Sequence, residues 1–238
     1  MKIQSIDPLE LLVFVHIPKT GGVSFNKVLV HVYGHSHLFH ALPEDLLKNL
    51  SSLNEKQKNK IYVVTAHHGS NLTNKFFPTR QIRLVTLLRN PADRIISLLK
   101  YIRQTQTHRH YKSLANKTLD QAFDYLSAND INVVSDLQCR FICGKPSFEE
   151  AKLYIEKNYS VVGTTDFFIN FVKECCSKFK WEIQEIDLNK KHNISKNQYK
   201  EAPSQELLEK IKSINKEDTN LYNYWFYNNY KGFYSLDN

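Results

Sequence analysis

The stretch from Leu11 to Leu29, LLVFVHIPKTGGVSFNKVL, constrains the fold more than any other part of the chain. An apolar, partly β-branched run from Leu11 to Val15 stops at His16-Ile17-Pro18-Lys19-Thr20-Gly21-Gly22, and apolar Val23, Phe25, Val28 and Leu29 follow in a helix-like pattern. The order is strand, glycine loop, helix. The chain has seven glycines and sets two of them side by side here, where a tight turn and close approach of a ligand to the backbone would need them. Amides at a helix start lack intrahelical partners and carry the positive end of the dipole, which suits a phosphate. Lys19 adds a cation, and Thr20 and Ser24 add hydroxyls. The spacing is not G-x-x-x-x-G-K-[ST], because the lysine precedes the glycines. An ordinary strand-to-helix turn is the bland alternative.

A second stretch carries comparable chemistry. The apolar run Ile82 to Leu88 leads into Arg89-Asn90-Pro91-Ala92-Asp93-Arg94-Ile95-Ile96-Ser97. Asn90 suits an N-cap and Pro91 the first helical position, so a helix should start directly off the strand. At about 100° per residue, Asn90, Arg94 and Ser97 fall within one narrow arc. Arg89 at the strand end and Ser97 along the helix can then reach one phosphate, the arginine through its fork and the serine through its hydroxyl. Between the two stretches, Ile61 to Thr65 reads as a strand running into Ala66-His67-His68-Gly69-Ser70. A histidine at a strand end can take a proton near neutral pH, as a general base must, or it can be a hydrogen-bonded histidine of the fold.

HIPKTGGVSF resembles the 5′-phosphosulfate loop of sulfotransferases that use 3′-phosphoadenosine 5′-phosphosulfate (PAPS). It is similar above all to the carbohydrate group that includes the heparan sulfate 2-O- and 6-O-sulfotransferases. The pattern R-[ND]-P-x-x-R-x-x-S resembles the 3′-phosphate motif of the same enzymes, and VVGTTDFFINFV (Val161 to Val172) also looks like its counterpart there. The resemblance runs from about residue 11 to 230 and implies in-line transfer of a sulfuryl group from PAPS to a glycan hydroxyl, with no metal. It implies that Lys19, Thr20, Gly21, Gly22, Val23 and Ser24 hold the 5′-phosphosulfate, and that Arg89 and Ser97 hold the 3′-phosphate. Lys19 is also expected to act in catalysis by neutralising charge on the leaving oxygen. The expected base is His67, with His68 as the alternative if the register shifts by one. Two rivals remain: a nucleotide-dependent kinase of related fold, disfavoured by the loop spacing, and a non-catalytic polyanion-binding or glycan-binding protein.

The 238 residues suit one domain spanning 1–238. Strands alternating with helices imply an α/β fold with a central parallel sheet flanked by helices on both faces, and the resemblance implies that this three-layer fold is P-loop-like. Ligands of such sheets sit at the carboxyl ends of the strands, where Lys19, His67 and Arg89 all fall. A formal net charge of +8 favours polyanionic ligands, and the resemblance selects a nucleotide and a glycan rather than nucleic acid. No early segment has the length and apolarity of a signal peptide or anchor, so a soluble, cytoplasmic, bacterial-type member is expected, with no transmembrane segment. Cys139, Cys143, Cys175 and Cys176 lack metal-ligand spacing and read as reduced and mostly buried. His31, His35, His37 and His40 lie close together without a completing cysteine or carboxylate, and read as a surface or substrate-facing loop.

Further helices are expected over Leu119 to Leu126, Val133 to Cys143, Ser147 to Lys157, Phe167 to Phe179 and from a Ser204 cap, with strands at Ser160 to Gly163 and Trp181 to Ile186. Tyr101 to Lys117 is basic and suits the wall of an acceptor cleft or a solvated helix end. Lys190, Lys191 and Lys196 lie in a polar stretch that could fold over a nucleotide.

Overall fold

The computed structural model describes residue 7 and residues 9–40, 43–66, 75–182 and 201–234. Its frame is a five-stranded sheet in which every pair is parallel: β1 (Glu10–Val15), β2 (Leu38–His40), β3 (Val63–Ala66), β4 (Gln81–Leu88) and β5 (Tyr159–Thr164), in the order β2-β3-β1-β4-β5. The run Leu11 to Val15 is buried throughout, as the central strand of a sheet covered on both faces must be. Alternate side chains enter different layers. Leu12 and Phe14 meet α1 (Gly22–Tyr33), through Phe25, Val28 and Leu29. Leu11, Val13 and Val15 meet Leu50 of α2 (Pro43–Ser52) and Phe77. The expected three-layer α/β architecture is the one observed.

Chain order explains where a ligand can sit. After β1 the chain crosses to β2 and β3 on one side, and β4 and β5 lie on the other. The carboxyl ends of β1 and β4 therefore face the place where connections diverge, the usual crevice of open parallel sheets. β4 leads into α3 (Pro91–Gln104). Its start is made locally: Asn90 Oδ1 accepts from the amides of Ala92 (3.0 Å) and Asp93 (3.4 Å), and Pro91 occupies the first turn. The apolar face of α3, Ile95, Leu98, Leu99 and Ile102, packs on α4 (Leu119–Asn129) through Leu119, Phe123 and Leu126. α5 (Leu137–Cys143) and α6 (Phe148–Asn158) precede β5, and α7 (Phe168–Phe179) follows it. α8 (Gln205–Ser213) starts on Ser204, whose Oγ accepts from the Leu207 amide at 3.0 Å, and α9 (Lys216–Tyr234) closes the described chain.

Three expectations need correction, and the reading of the cysteines as free and mostly buried holds. The helix expected over Val133 to Cys143 starts only at Leu137, because Asp136 takes a left-handed backbone (φ 40°). Trp181 and Glu182 are not in a strand; Trp181 is buried against Phe25 and Phe179, with Nε1 donating to Tyr33 Oη at 3.0 Å. The rest of that expected strand, and Lys190, Lys191 and Lys196, lie outside the described residues. The histidine-rich stretch contains an unforeseen edge strand, β2, held to β3 by a bond of 2.6 Å between His40 Nδ1 and Thr65 Oγ1. Cys139 and Cys175 are buried, Cys143 and Cys176 half-buried, all four are free, and burial pushes the buried thiols' pKa up.

Among the described residues, no helix is long and apolar enough to cross a membrane.

Candidate active site

The loop after β1 is shaped by one buried ring and two positive-φ residues. His16 stacks on Phe14 with ring centroids 5.3 Å apart, and its imidazole lies across the start of α1. A Cβ on Gly22 would sit 1.9 Å from His16 Nε2, so no other residue type fits there without moving the ring. Gly21 adopts φ 84° and Lys19 φ 71°, a left-handed conformation that costs a residue with a Cβ about 1 kcal/mol or more. Thr20 is fully buried, and its hydroxyl donates to the Ile17 carbonyl at 2.9 Å. Its side chain thus braces the turn rather than facing a ligand. The amides of Ser24 and Phe25 donate to the Gly21 carbonyl at 3.0 and 3.2 Å. Helix geometry leaves the amides of Gly22 and Val23, in the first turn of α1, without intrahelical acceptors.

Arg89 joins the second motif to this loop. Its Nη1 donates to the Lys19 carbonyl at 3.1 Å, across the crevice between β1 and β4. The Arg89 backbone is held on the other side by the buried side chain of Gln138, which accepts from its N–H at 2.9 Å and donates to its carbonyl at 2.8 Å. Ser97 is half-buried on α3, one turn before Tyr101. Side chains four apart share a helix face, and Tyr101 reaches Lys19, so Ser97 stands on the loop side. Arg94, on the same expected arc, goes elsewhere. It is fully buried, and its Nη2 donates to the Val133 carbonyl at 3.1 Å.

The site is cationic and short of anions. Burial and the neighbouring Arg89 charge lower the Lys19 pKa from 10.5 to about 8, and burial also lowers that of Arg89. Asp93 and Asp166 act on Arg89 from a distance, but among the described residues neither Lys19 nor Arg89 forms a salt bridge. Asp166 accepts from Tyr222 Oη at 2.9 Å. Two desolvated cations beside the first-turn amides of α1 make a setting that an anion of several charges would stabilise.

Sequence reasoning set Tyr101 in a stretch suited to an acceptor-cleft wall, but missed its contact with Lys19 and missed Gln138 altogether. Tyr101 places its ring 4.2 Å from Lys19 Nζ and is 43% exposed. Beyond it, His108 meets Tyr101 edge-on at 6.0 Å, and His110 bonds Asp130 at 3.0 Å with Arg109 on the same carboxylate. Tyr101 lies four residues after Ser97 on one helix face, but its partner Lys19 is 82 residues away in sequence. Gln138 has no local signal at all.

β3 ends at Ala66, whose carbonyl accepts from the His16 amide at 2.9 Å, so the chain leaves the sheet beside the loop. His67 and His68 lie outside the described residues.

The family model described as "Sulfotransferase family" matches residues 5–225. No curated protein matches the sequence. Among solved structures, the chain is similar to mouse sulfotransferase SULT7A1 complexed with PAP, at 14% identity and TM-score 0.46, over 77% of this chain and 65% of that one. It thus spans about two-thirds of the mouse protein's length. It is also similar to a sulfotransferase from Alicyclobacillus acidocaldarius, at 14% identity and TM-score 0.48, over 91% of this chain and 96% of that one.

Proposed function

The chain belongs to the sulfotransferase family, and from that premise we propose that it transfers a sulfuryl group from PAPS to a hydroxyl of a glycan. The observation that carries this reading is the bond between Arg89 Nη1 and the Lys19 carbonyl, which brings the two phosphate-type motifs into one crevice.

The residues divide the work by chemistry. The amides of Gly22 and Val23 with Lys19 and Ser24 hold the 5′-phosphosulfate, while Thr20 and Gly21 keep the turn that aims them. Arg89 and Ser97 hold the 3′-phosphate and so select this donor over other adenine nucleotides. PAPS supplies an activated sulfuryl group on a phosphate leaving group. His67, or His68 in the alternative register, takes the acceptor proton as the new O–S bond forms. The bridging S–O bond breaks, and its electron pair goes to the phosphate oxygen. Lys19 meets the charge growing there, a preorganised electrostatic role. The balance needs no metal.

An exposed aromatic ring beside Lys19 supports a glycan as the acceptor, since such faces stack on sugar rings. The test is transfer of label from [35S]PAPS to a panel of desulfated acidic glycans, neutral glycans and simple phenols. Label in the glycans supports the reading. Label confined to phenols would overturn the acceptor class while leaving the donor site standing.

A further inference from the structure

Gln138 belongs to none of the motifs that resemble a donor site, yet it touches the backbone of Arg89 at both of its polar groups. The last pair between β4 and β5 is Leu88 with Thr164, so Arg89 has already left the ladder. Gln138 takes over from the missing strand: Oε1 accepts from Arg89 N–H at 2.9 Å and Nε2 donates to Arg89 O at 2.8 Å. The glutamine is fully buried.

Gln138 is itself seated from the C-terminal helix. Asp218, in the first turn of α9, is fully buried, and its carboxylate accepts from the amides of Gln138 (2.9 Å) and Cys139 (2.8 Å). Those are first-turn amides of α5, which Asp136 does not cap. Asp136 instead accepts from the Asp218 amide at 3.0 Å, and its own amide donates to Asn215 Oδ1 at 3.0 Å. The two helix starts cap each other, and the resulting frame fixes the backbone from which the buried glutamine side chain reaches Arg89.

We infer that Gln138, seated by Asp218, is the positioning residue that sets Arg89 for the donor's 3′-phosphate. This rests on the Arg89 assignment proposed above. The guanidinium sits at the end of a long side chain, so a small swing of the Arg89 peptide displaces it enough to spoil two-point binding of a phosphate. A pair of hydrogen bonds on one peptide fixes that swing.

The test uses Gln138→Met, close in volume and without either bond, titrated calorimetrically with 3′-phosphoadenosine 5′-phosphate (PAP) and with adenosine 5′-phosphate. PAP affinity should fall at least tenfold while adenosine 5′-phosphate binding stays within about twofold. In an Arg89→Ala background the same substitution should cause no further loss of PAP affinity, because coupled residues are not additive. Equal weakening of both nucleotides, unchanged PAP binding, or additive losses in the double variant would each overturn the inference. If Gln138→Met loses its cooperative melt, Gln138→Asn takes its place with the same expectation, since it keeps the amide but withdraws it by one methylene. The wild type and Arg89→Ala separate the two levels. A wild-type preference for PAP that Arg89→Ala abolishes upholds the Arg89 assignment whatever Gln138 does, and a wild type without that preference overturns both.

Discussion

Lys19 Nζ lies 4.2 Å from the centre of the Tyr101 ring, so the cation of the glycine loop rests on an aromatic face carried by the helix that follows Arg89. Burial and Arg89 disfavour the lysine's charge, and the ring favours it. Removing the charge should stop chemistry without harming the fold. Lys19→Ala is expected to lose roughly 100- to 1000-fold in turnover, the scale of one preorganised electrostatic donor. Its melting temperature should not fall, since the folded state disfavours the lysine's charge. Steady-state rates with PAPS beside a thermal melt decide this, and retention of most activity would remove Lys19 from the mechanism.

The depressed pKa of Lys19 gives the site a pH dependence. With a value of about 8 in the folded protein, kcat/KM for the donor should fall as pH rises through about 8, because that ratio reports the free enzyme. The fall in kcat should come at higher pH, since a bound polyanion restores the lysine's proton. For stability the sign is opposite. Between about pH 8 and 10.5 the unfolded chain holds more protons at this position than the folded one, so the lysine's contribution to stability rises with pH across that window. A Lys19→Met variant should lack that rise in a pH series of melts.

Tyr101→Leu should move the alkaline fall in kcat/KM to lower pH by roughly half a unit to one unit, the equivalent of a cation–π contact of about 0.5–1.5 kcal/mol. Tyr101→Phe keeps the ring face and should leave the profile in place. Profiles that coincide for all three proteins would show that the contact does not govern the lysine's charge.

Gly22→Ala forces a Cβ to 1.9 Å from the His16 ring. Overpacking of this kind costs about 1–3 kcal/mol, or roughly 2–4 °C of melting temperature per kcal/mol at this chain length. The loop amides should move with the ring, so PAP binding should weaken along with the melt. A variant that melts and binds as the wild type does would mean that His16 yields freely.

The central strands, the glycine loop and the Asn90 cap were legible because each rests on neighbours in sequence: a continuous apolar run, two adjacent glycines, a cap followed by proline. β2 was not, because three residues carry no periodicity and His40 finds Thr65 only in the folded sheet. Asp136 breaks its helix through partners about 80 residues away, Asn215 and Asp218. Arg94 shows the limit of helical arcs most clearly. Angle alone set it beside Ser97, but the packing of α3 buries it and its guanidinium turns to the Val133 carbonyl.

The register of the base is left to the pair that follows Ala66. His67→Ala and His68→Ala should differ sharply in kcat, with His67→Ala the lower by at least about 100-fold, the usual contribution of a general base. Equal, small losses would put the base on another residue.

The most direct measurement is the thermal shift produced by PAP compared with ADP and AMP at equal concentration, on the wild type and on Arg89→Ala. At about 100 times its dissociation constant a native-state ligand adds roughly 2.7 kcal/mol, which for this chain length is several degrees. The account predicts that rise with PAP, a smaller one with ADP and AMP, and loss of the difference in Arg89→Ala. An equal shift with all three nucleotides, or none with PAP, would contradict a donor site built on Lys19 and Arg89.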